Sequence, residues 1–233
     1  MARKIAIVED EPAIRDNYAE ALRRQGYEVD TYDRRQPALT AFQHQLPDLA
    51  IIDIGLADEA EGGFELCRAL RAMSETVPII FLTARDSELD TVSGFRLGAD
   101  DYLTKDIGLI HLQARIAALF RRVDLIATPV AEQDLIVHGE LTIDSARMLV
   151  TYQQQAIALT VTEFWLVHAL ARYVGHVKTR EQLMQAANIY VDEDTISSHI
   201  KRIRKKFQAE SCDFAAIETV YGLGYRWLDS SAR

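Results

Sequence analysis

The chain has 233 residues, 48% hydrophobic and 26% charged, a composition that excludes a disordered or low-complexity protein. At about 100–200 residues per domain the length favours two domains, and no apolar run reaches the roughly 20 residues needed to span a bilayer. We therefore expect a cytoplasmic protein of two domains that makes no contact with membranes.

The net charge of −9 is unevenly distributed along the chain. Residues 1–124 carry 15 Lys and Arg against 22 Asp and Glu, whereas residues 135–233 carry 11 of each. Five of the 11 cations in the second part lie within residues 201–206. This basic patch on a neutral domain keeps nucleic acid open as a partner.

The first half of the chain alternates between short apolar runs and segments of helical periodicity. The apolar runs are residues 4–9, 49–54, 78–82 and 101–104, and the helical segments are residues 13–25, 64–73, 87–97 and 109–122. Nearly continuous apolar runs are typical of parallel strands that helices cover on both faces. The alternation predicts an α/β doubly wound, flavodoxin-like domain with a five-stranded parallel sheet in residues 1–123. A site is expected beyond the carboxyl ends of its strands.

The second half has a different organisation. Residues 124–134 contain a Thr-Pro step without clear periodicity and are interpreted as a linker. Alternating segments between residues 135 and 158 predict a small antiparallel sheet. Helical patterns near residues 162–173, 179–187 and 194–208 precede IETVYGLGYRWL, which predicts a hairpin with glycines at its tip. Residues 135–233 are therefore predicted to form an α+β winged helix-turn-helix domain.

Polar side chains stand where the apolar runs of the first domain end. Glu9 and Asp10 lie at the end of the first run, and Asp53 lies near the end of the second. Thr83 and Lys105 directly follow the last two runs. Because the carboxyl ends of parallel strands share one edge of a sheet, these side chains are expected around one crevice. Carboxylate oxygens suit Mg²⁺, which would neutralise the charge of an arriving phosphoryl donor. Any one acid alone could equally be a solvated loop residue, so the prediction depends on the set.

The segments IAIVEDE, LAIIDIGL, PIIFLTA and LGADDYLTK resemble the receiver domain of two-component response regulators over about residues 3–123. The resemblance implies that Asp53 is the phospho-acceptor and takes its phosphoryl group from a sensor histidine kinase. It further implies a cofactor, Mg²⁺, and a set of site residues. The implied Mg²⁺ ligands are Glu9, Asp10, Asp53 and the main-chain carbonyl of Gly55, and the implied phosphoryl-binding and switch residues are Thr83, Tyr102 and Lys105.

Two departures from the family pattern border this pocket. Asp106 follows Lys105 where the family usually has proline, and a cis bond before a residue other than proline costs about 3–4 kcal/mol, so we expect a trans peptide there. The loop GLADEAEGG after Asp53 is longer and more acidic than the usual turn. Its acids Asp58, Glu59 and Glu61 are expected to repel a donor or to change the access of Mg²⁺.

The segment DTISSHIKRIRKKFQ places four apolar residues on one helical face and cations on the other. Such a helix alone could equally be a solvated surface helix. With LTVTEFWLVHAL, GHVKTREQL and IETVYGLGYRW, however, it resembles the winged-helix domain of OmpR/PhoB-type regulators over about residues 135–229. The resemblance implies contacts with double-stranded DNA by Ser197, Ser198, Lys201, Arg202, Arg204, Lys205 and Arg226.

The two resemblances together imply a phosphorylation-controlled transcription factor. They also imply a homodimer on activation, with Asp101 and Arg115 at its interface, and allow RNA polymerase as a partner. No enzyme is expected, because GxGxxG and P-loop motifs are absent and no second acid stands two residues after Asp53. The alternative is a phosphorylation-independent transcription factor that uses an atypical receiver for protein interaction.

Overall fold

The computed structural model describes residues 2–84, 93–94, 97–127, 135–187 and 193–228. The chain divides into two compact units, Met1–Ala117 and Ala118–Arg233, and each is described by itself. Among the described residues, no helix has both the length and the apolar character that crossing a bilayer requires.

The first unit is built on a five-stranded parallel sheet with the order β2-β1-β3-β4-β5. The three central strands are almost entirely apolar and buried, because neighbouring strands and helices cover them. The predicted doubly wound fold is confirmed. The strands are β1 (Lys4–Val8), β2 (Glu28–Tyr32), β3 (Leu49–Ile52), β4 (Ile79–Thr83) and β5 (Asp101–Thr104).

The helices of this unit are α1 (Pro12–Arg24), α2 (Arg35–His44), α3 (Gly62–Met73) and the first half of α4 (Leu109–Ala127), which continues past Ala117. Proline is favoured in the first turn of a helix, and α1 begins with Pro12. Sequence patterns did not single out β2 or α2. Strand β2 lies at the edge of the sheet with only one buried residue, so it lacks an apolar run. The helix predicted at residues 87–97 lies mostly outside the described residues.

Helix α4 continues five residues beyond its predicted end at residue 122. The additional residues VDLIA contain neither glycine nor proline, so nothing in them interrupts a helix. The first four residues of the predicted linker, residues 124–127, are therefore helical. The rest of that linker lies outside the described residues.

After the end of α4, the second unit contains a four-stranded antiparallel sheet in which each strand pairs with the next. Three helices and a two-stranded hairpin follow, as predicted for a winged helix-turn-helix. The sheet strands are β6 (Leu135–His138), β7 (Leu141–Asp144), β8 (Leu149–Tyr152) and β9 (Gln155–Ile157). The later elements are α5 (Val161–Ala171), α6 (Arg180–Ala186), α7 (Glu193–Glu210), β10 (Ile217–Val220) and β11 (Gly224–Trp227).

Capping boxes fix the starts of α5 and α6. Thr160 accepts a hydrogen bond from the amide of Glu163, whose carboxylate accepts one from the amide of Thr160. Thr179 and Gln182 make the same reciprocal pair at α6. The helices then pack their apolar faces into one core with the sheet and the hairpin.

Candidate functional sites

The acidic pocket lies at the carboxyl ends of β1, β3 and β5. Lys105 Nζ lies 2.7 Å from Asp53 Oδ2 and 2.8 Å from Glu9 Oε1, while the amide of Ile54 donates to Asp53 Oδ1 at 2.7 Å. Both carboxylates are buried. The expected meeting of these strand ends is therefore present in the structure.

Burial and the ammonium of Lys105 act in opposite directions on the pKa of Glu9. Burial raises the pKa of Glu9, and the hydrogen bond from Lys105 opposes that rise. Burial would lower the pKa of Lys105, but hydrogen bonds to Asp53 and Glu9 outweigh it, so this pKa is raised. Lys105 is thus a charged, fixed cation beside the two acids at neutral pH.

Three carboxylates meet at this point with the ligand chemistry of a hard cation. Oxygen atoms of Glu9, Asp10 and Asp53 all lie within 4.8 Å of one another. Receiver domains bind Mg²⁺ at such an acidic pocket, and oxygen ligands of this kind fit that ion. The amide of Ala57 donates to Asp10 Oδ2 at 3.0 Å, which orients the third carboxylate from the loop after β3.

The loop after β3 is folded into a tight hairpin. Leu56 and Glu59 exchange two backbone hydrogen bonds of 3.0 Å, and Ala57 between them has a left-handed backbone with a φ of 53°. Arg35 of α2 pairs with Glu59 at 2.5 Å and with Glu65 at 2.7 Å. Glu59, whose charge was expected to act on the pocket, therefore pairs with Arg35, which it shares with Glu65.

Gly63 lets helix α3 start directly against the end of β3. Its amide donates to the carbonyl of Ile54 at 2.9 Å, and an added Cβ would lie 2.0 Å from the carbonyl oxygen of Asp53. No side chain fits there without moving the backbone that carries the candidate phospho-acceptor.

Thr83 and Tyr102 lie on the neighbouring strands β4 and β5. Thr83 ends β4 and is buried, and its carbonyl accepts the amide of Lys105 at 2.9 Å. Tyr102 is only 8% exposed, and its ring packs on Phe81 with centroids 6.1 Å apart. The peptide between Lys105 and Asp106 is trans, as expected.

In the second unit, helix α7 divides its cations between three faces. Ile196, Ile200, Ile203 and Phe207 are buried in the core, as their spacing predicted. On one flank, Arg202 and Lys206 pair with the buried carboxylate of Glu163 on α5. Burial would raise the pKa of Glu163, but these two cations and the amide of Thr160 lower it to about 2.

The opposite flank of α7 is tied to the hairpin. Arg204 donates to the carbonyl of Ile217 at 3.1 and 2.9 Å and to Thr219 Oγ1 at 2.8 Å. The guanidinium of Arg204 also lies 5.8 Å from the ring of Tyr225, whose hydroxyl is 3.0 Å from that of Ser197.

The third face carries Ser198, Lys201 and Lys205, which share one side of the helix by their spacing of three and four residues. Both lysines are exposed. On the hairpin, Arg226 pairs with Glu218 across the two strands. Arg202, Arg204 and Arg226, which sequence reasoning assigned to DNA, each have a partner within the chain.

Asp101 and Arg115 also meet within a single chain. Arg115 Nη1 lies 3.6 Å from Asp101 Oδ2, and the Asp101 side chain is only 4% exposed. Sequence reasoning had placed this pair at a dimer interface.

Sequence reasoning missed four residues that shape these sites: Arg35, Ala57, Gly63 and Glu163. A signal existed for one of them, because Thr160-x-x-Glu163 before an apolar run is a capping-box pattern. The others act through contacts between segments that lie apart in the sequence.

The fold and pocket define a receiver domain followed by a DNA-binding winged helix, and comparison with known proteins agrees. Residues 5–117 match the family described as response regulator receiver domain, and residues 154–227 match transcriptional regulatory protein, C terminal. The transcriptional regulatory protein CreB of Escherichia coli is 36% identical over 224 residues, covering 94% of this chain and 95% of the relative.

Two further similarities extend over nearly the whole chain. The phosphate regulon transcriptional regulatory protein PhoB of Rhizobium meliloti is 39% identical over 97% of this chain and 98% of its own length. The crystal structure of DrrB, a Thermotoga maritima OmpR/PhoB homologue, has a TM-score of 0.52 and 29% identity over 98% of this chain and all of that one. The chain belongs to the OmpR/PhoB-type response regulators. Its function is phosphorylation-controlled regulation of transcription.

Proposed function

We propose that Asp53 accepts a phosphoryl group from the phosphohistidine of a sensor kinase and that this modification controls DNA binding. The observation that carries the proposal is the position of Lys105, within hydrogen-bonding distance of both Asp53 and Glu9. A fixed ammonium beside the carboxylates offsets the negative charge that would repel an anionic donor.

In the transfer, a carboxylate oxygen of Asp53 bonds to phosphorus while the P–N bond of the donor breaks and its electron pair leaves with the imidazole. Glu9, Asp10, Asp53 and the Gly55 carbonyl would hold Mg²⁺, which neutralises charge on the phosphoryl group. Lys105 pairs with a phosphoryl oxygen and Thr83 donates a hydrogen bond to another. Tyr102 couples this change to the face of the sheet that it shares with Phe81.

For DNA we propose that Ser198, Lys201 and Lys205 make the groove and phosphate contacts of α7. The support is their position on the outward side of the helix. Ser197, Arg202, Arg204 and Arg226 complete the proposed DNA-binding set, and their internal partners fix their positions. The active form proposed is a homodimer that can also contact RNA polymerase, with Asp101 and Arg115 near its interface.

The test is intact-mass analysis of the full chain after incubation with Mg²⁺ and acetyl phosphate, with Asp53→Ala as the matched variant. A phosphoryl adduct on the wild type alone is expected. Electrophoretic mobility on a random-sequence duplex, before and after labelling, then tests control of DNA binding. If neither acetyl phosphate nor a panel of sensor kinases labels the wild type, the proposal is wrong and the phosphorylation-independent alternative takes its place.

A further inference from the structure

The chain turns sharply at the end of β5, and this turn carries Lys105. The amide of Ile107 donates to the carbonyl of Thr104 at 3.0 Å, which closes a four-residue turn with Lys105 and Asp106 at its centre. The amide of Lys105 is held by the carbonyl of Thr83 at 2.9 Å. The main chain of Lys105 is therefore anchored to the sheet on its amino side.

Two hydrogen bonds made by side chains hold the carboxyl side of the turn. The hydroxyl of Thr104 donates to the carboxylate of Asp106, and the hydroxyl of Tyr18 on α1 donates to the carbonyl of Lys105 at 3.4 Å. Asp106 is exposed and Thr104 is only partly buried, so apolar packing does not explain their contact. Short polar side chains that bond across a turn in this way restrict its backbone.

We propose that Thr104 and Asp106 are positioning residues for Lys105. Their hydrogen bond fixes the turn, and the turn aims the ammonium of Lys105 at Asp53 and Glu9. Proline at position 106 would restrict the backbone with its ring, and this chain uses a hydrogen bond between side chains instead. The inference rests on the proposed function in so far as Lys105 serves phosphoryl transfer to Asp53.

Four variants of the full chain separate the hydrogen bond from the charge. Thr104→Val and Asp106→Ala remove the hydrogen bond, whereas Thr104→Ser and Asp106→Asn keep a donor and an acceptor. We expect the first two to slow labelling by acetyl phosphate by roughly two- to tenfold, the range that one net hydrogen bond corresponds to. The two conservative variants should stay within about twofold of the wild type.

A second measurement reports on Lys105 without any phosphoryl transfer. The ammonium protons of a lysine held between two carboxylates exchange slowly with water, and NMR of ¹⁵N-labelled lysine side chains measures that exchange. Thr104→Val and Asp106→Ala should accelerate it at Lys105 and leave it unchanged at Lys4, which pairs with Asp30 on the first two strands. A merely structural role would lower thermal stability without this selective change.

The outcomes are distinguishable from failure of the proposed function. If the wild type takes no phosphoryl group, that function fails, while the NMR measurement still decides whether Thr104 and Asp106 hold Lys105. If Asp106→Asn accelerates labelling while Thr104→Val changes neither rate nor exchange, Asp106 acts through its charge and the inference is overturned. Unchanged exchange in both Thr104→Val and Asp106→Ala overturns it as well.

Discussion

The carboxylate of Glu163 is completely buried in the second unit and forms an ion pair with the guanidinium of Arg202. The pair joins α5 to the DNA-binding helix α7, and Lys206 completes it at 3.0 Å. Two cations of the basic patch are thereby paired with a buried carboxylate. These ion pairs hold α7 against α5.

Glu163→Gln is expected to lower the free energy of unfolding of the second unit by about 3–5 kcal/mol at pH 7, because Arg202 and Lys206 lose the buried carboxylate that pairs with them. The pKa of Glu163 falls on folding from 4.5 to about 2. Wild-type stabilisation is therefore complete above pH 4.5 and is lost as the pH falls toward 2, so the difference between the two proteins should shrink over that window.

Urea unfolding at several pH values, followed by tryptophan fluorescence, measures the free energy of unfolding of both proteins. The signal reports on the second unit, because Trp165 and Trp227 both lie there. Glu210→Gln removes an exposed carboxylate at the end of α7 and should change stability by less than about 0.5 kcal/mol. A difference between wild type and Glu163→Gln that stays constant down to pH 3 would contradict the assignment.

Arg204→Ala and Lys205→Ala should affect different properties although the residues are adjacent. Loss of Arg204 releases Ile217 and Thr219 on the hairpin and should lower stability by roughly 1–3 kcal/mol. Lys205→Ala should leave stability unchanged and reduce the slope of log K against log salt by about one on a random-sequence duplex. Fluorescence anisotropy at several salt concentrations gives the slope. Equal slopes for wild type and Lys205→Ala would remove Lys205 from the phosphate contacts.

Lys105→Ala is expected to tighten the binding of Mg²⁺, because the ammonium competes with a cation for Asp53 and Glu9. Isothermal titration calorimetry with MgCl₂ measures the affinity. Lys4→Ala removes a cation from the opposite end of β1 and serves as the control. Weaker binding in Lys105→Ala would mean that the lysine organises the carboxylates more than it repels the ion.

Gly63→Ala should destabilise the first unit by about 1–3 kcal/mol or more, since the new methyl group overlaps the carbonyl of Asp53. Gly108→Ala, where a Cβ meets His111 at an ordinary 3.7 Å, should change stability little. Differential scanning calorimetry of the full chain records both. A normal transition for Gly63→Ala would show that the end of β3 can move away from α3.

Arg115→Ala should destabilise the first unit by roughly 1–2 kcal/mol, because Asp101 is nearly buried and loses an ion-pair partner within its own chain. The loss should not depend on protein concentration. Arg121→Ala, at an exposed position of the same helix, is the control. If destabilisation appears only at concentrations where dimers form, as sedimentation would report, the pair acts between chains.

Periodicity and strand-end residues were enough to predict the doubly wound fold, the winged helix and the meeting of Glu9, Asp53 and Lys105. Apolar runs identify central strands directly, because a buried parallel strand has no polar face. Strand β2 escaped this criterion because it lies at the edge of the sheet and is mostly polar.

The division of cations on α7 could not be predicted from the helix alone. Spacing places Arg202 and Arg204 off the apolar face, but whether each faces DNA or a neighbouring element depends on Glu163 and Ile217 in other segments. The turn after β5 presents the same difficulty, since the contribution of Tyr18 comes from α1.

The backbone of Ala57 sets a limit on how the exposed loop after β3 can drift during evolution. A left-handed conformation at a φ of 53° suits glycine and asparagine and opposes valine, isoleucine and threonine, whose branched side chains crowd the backbone. In a library of all substitutions at this position, tolerance should therefore follow backbone preference and not surface polarity. This surface site would then be among the more restricted positions of the receiver. A substitution that changed its backbone conformation would also move the amide that orients Asp10.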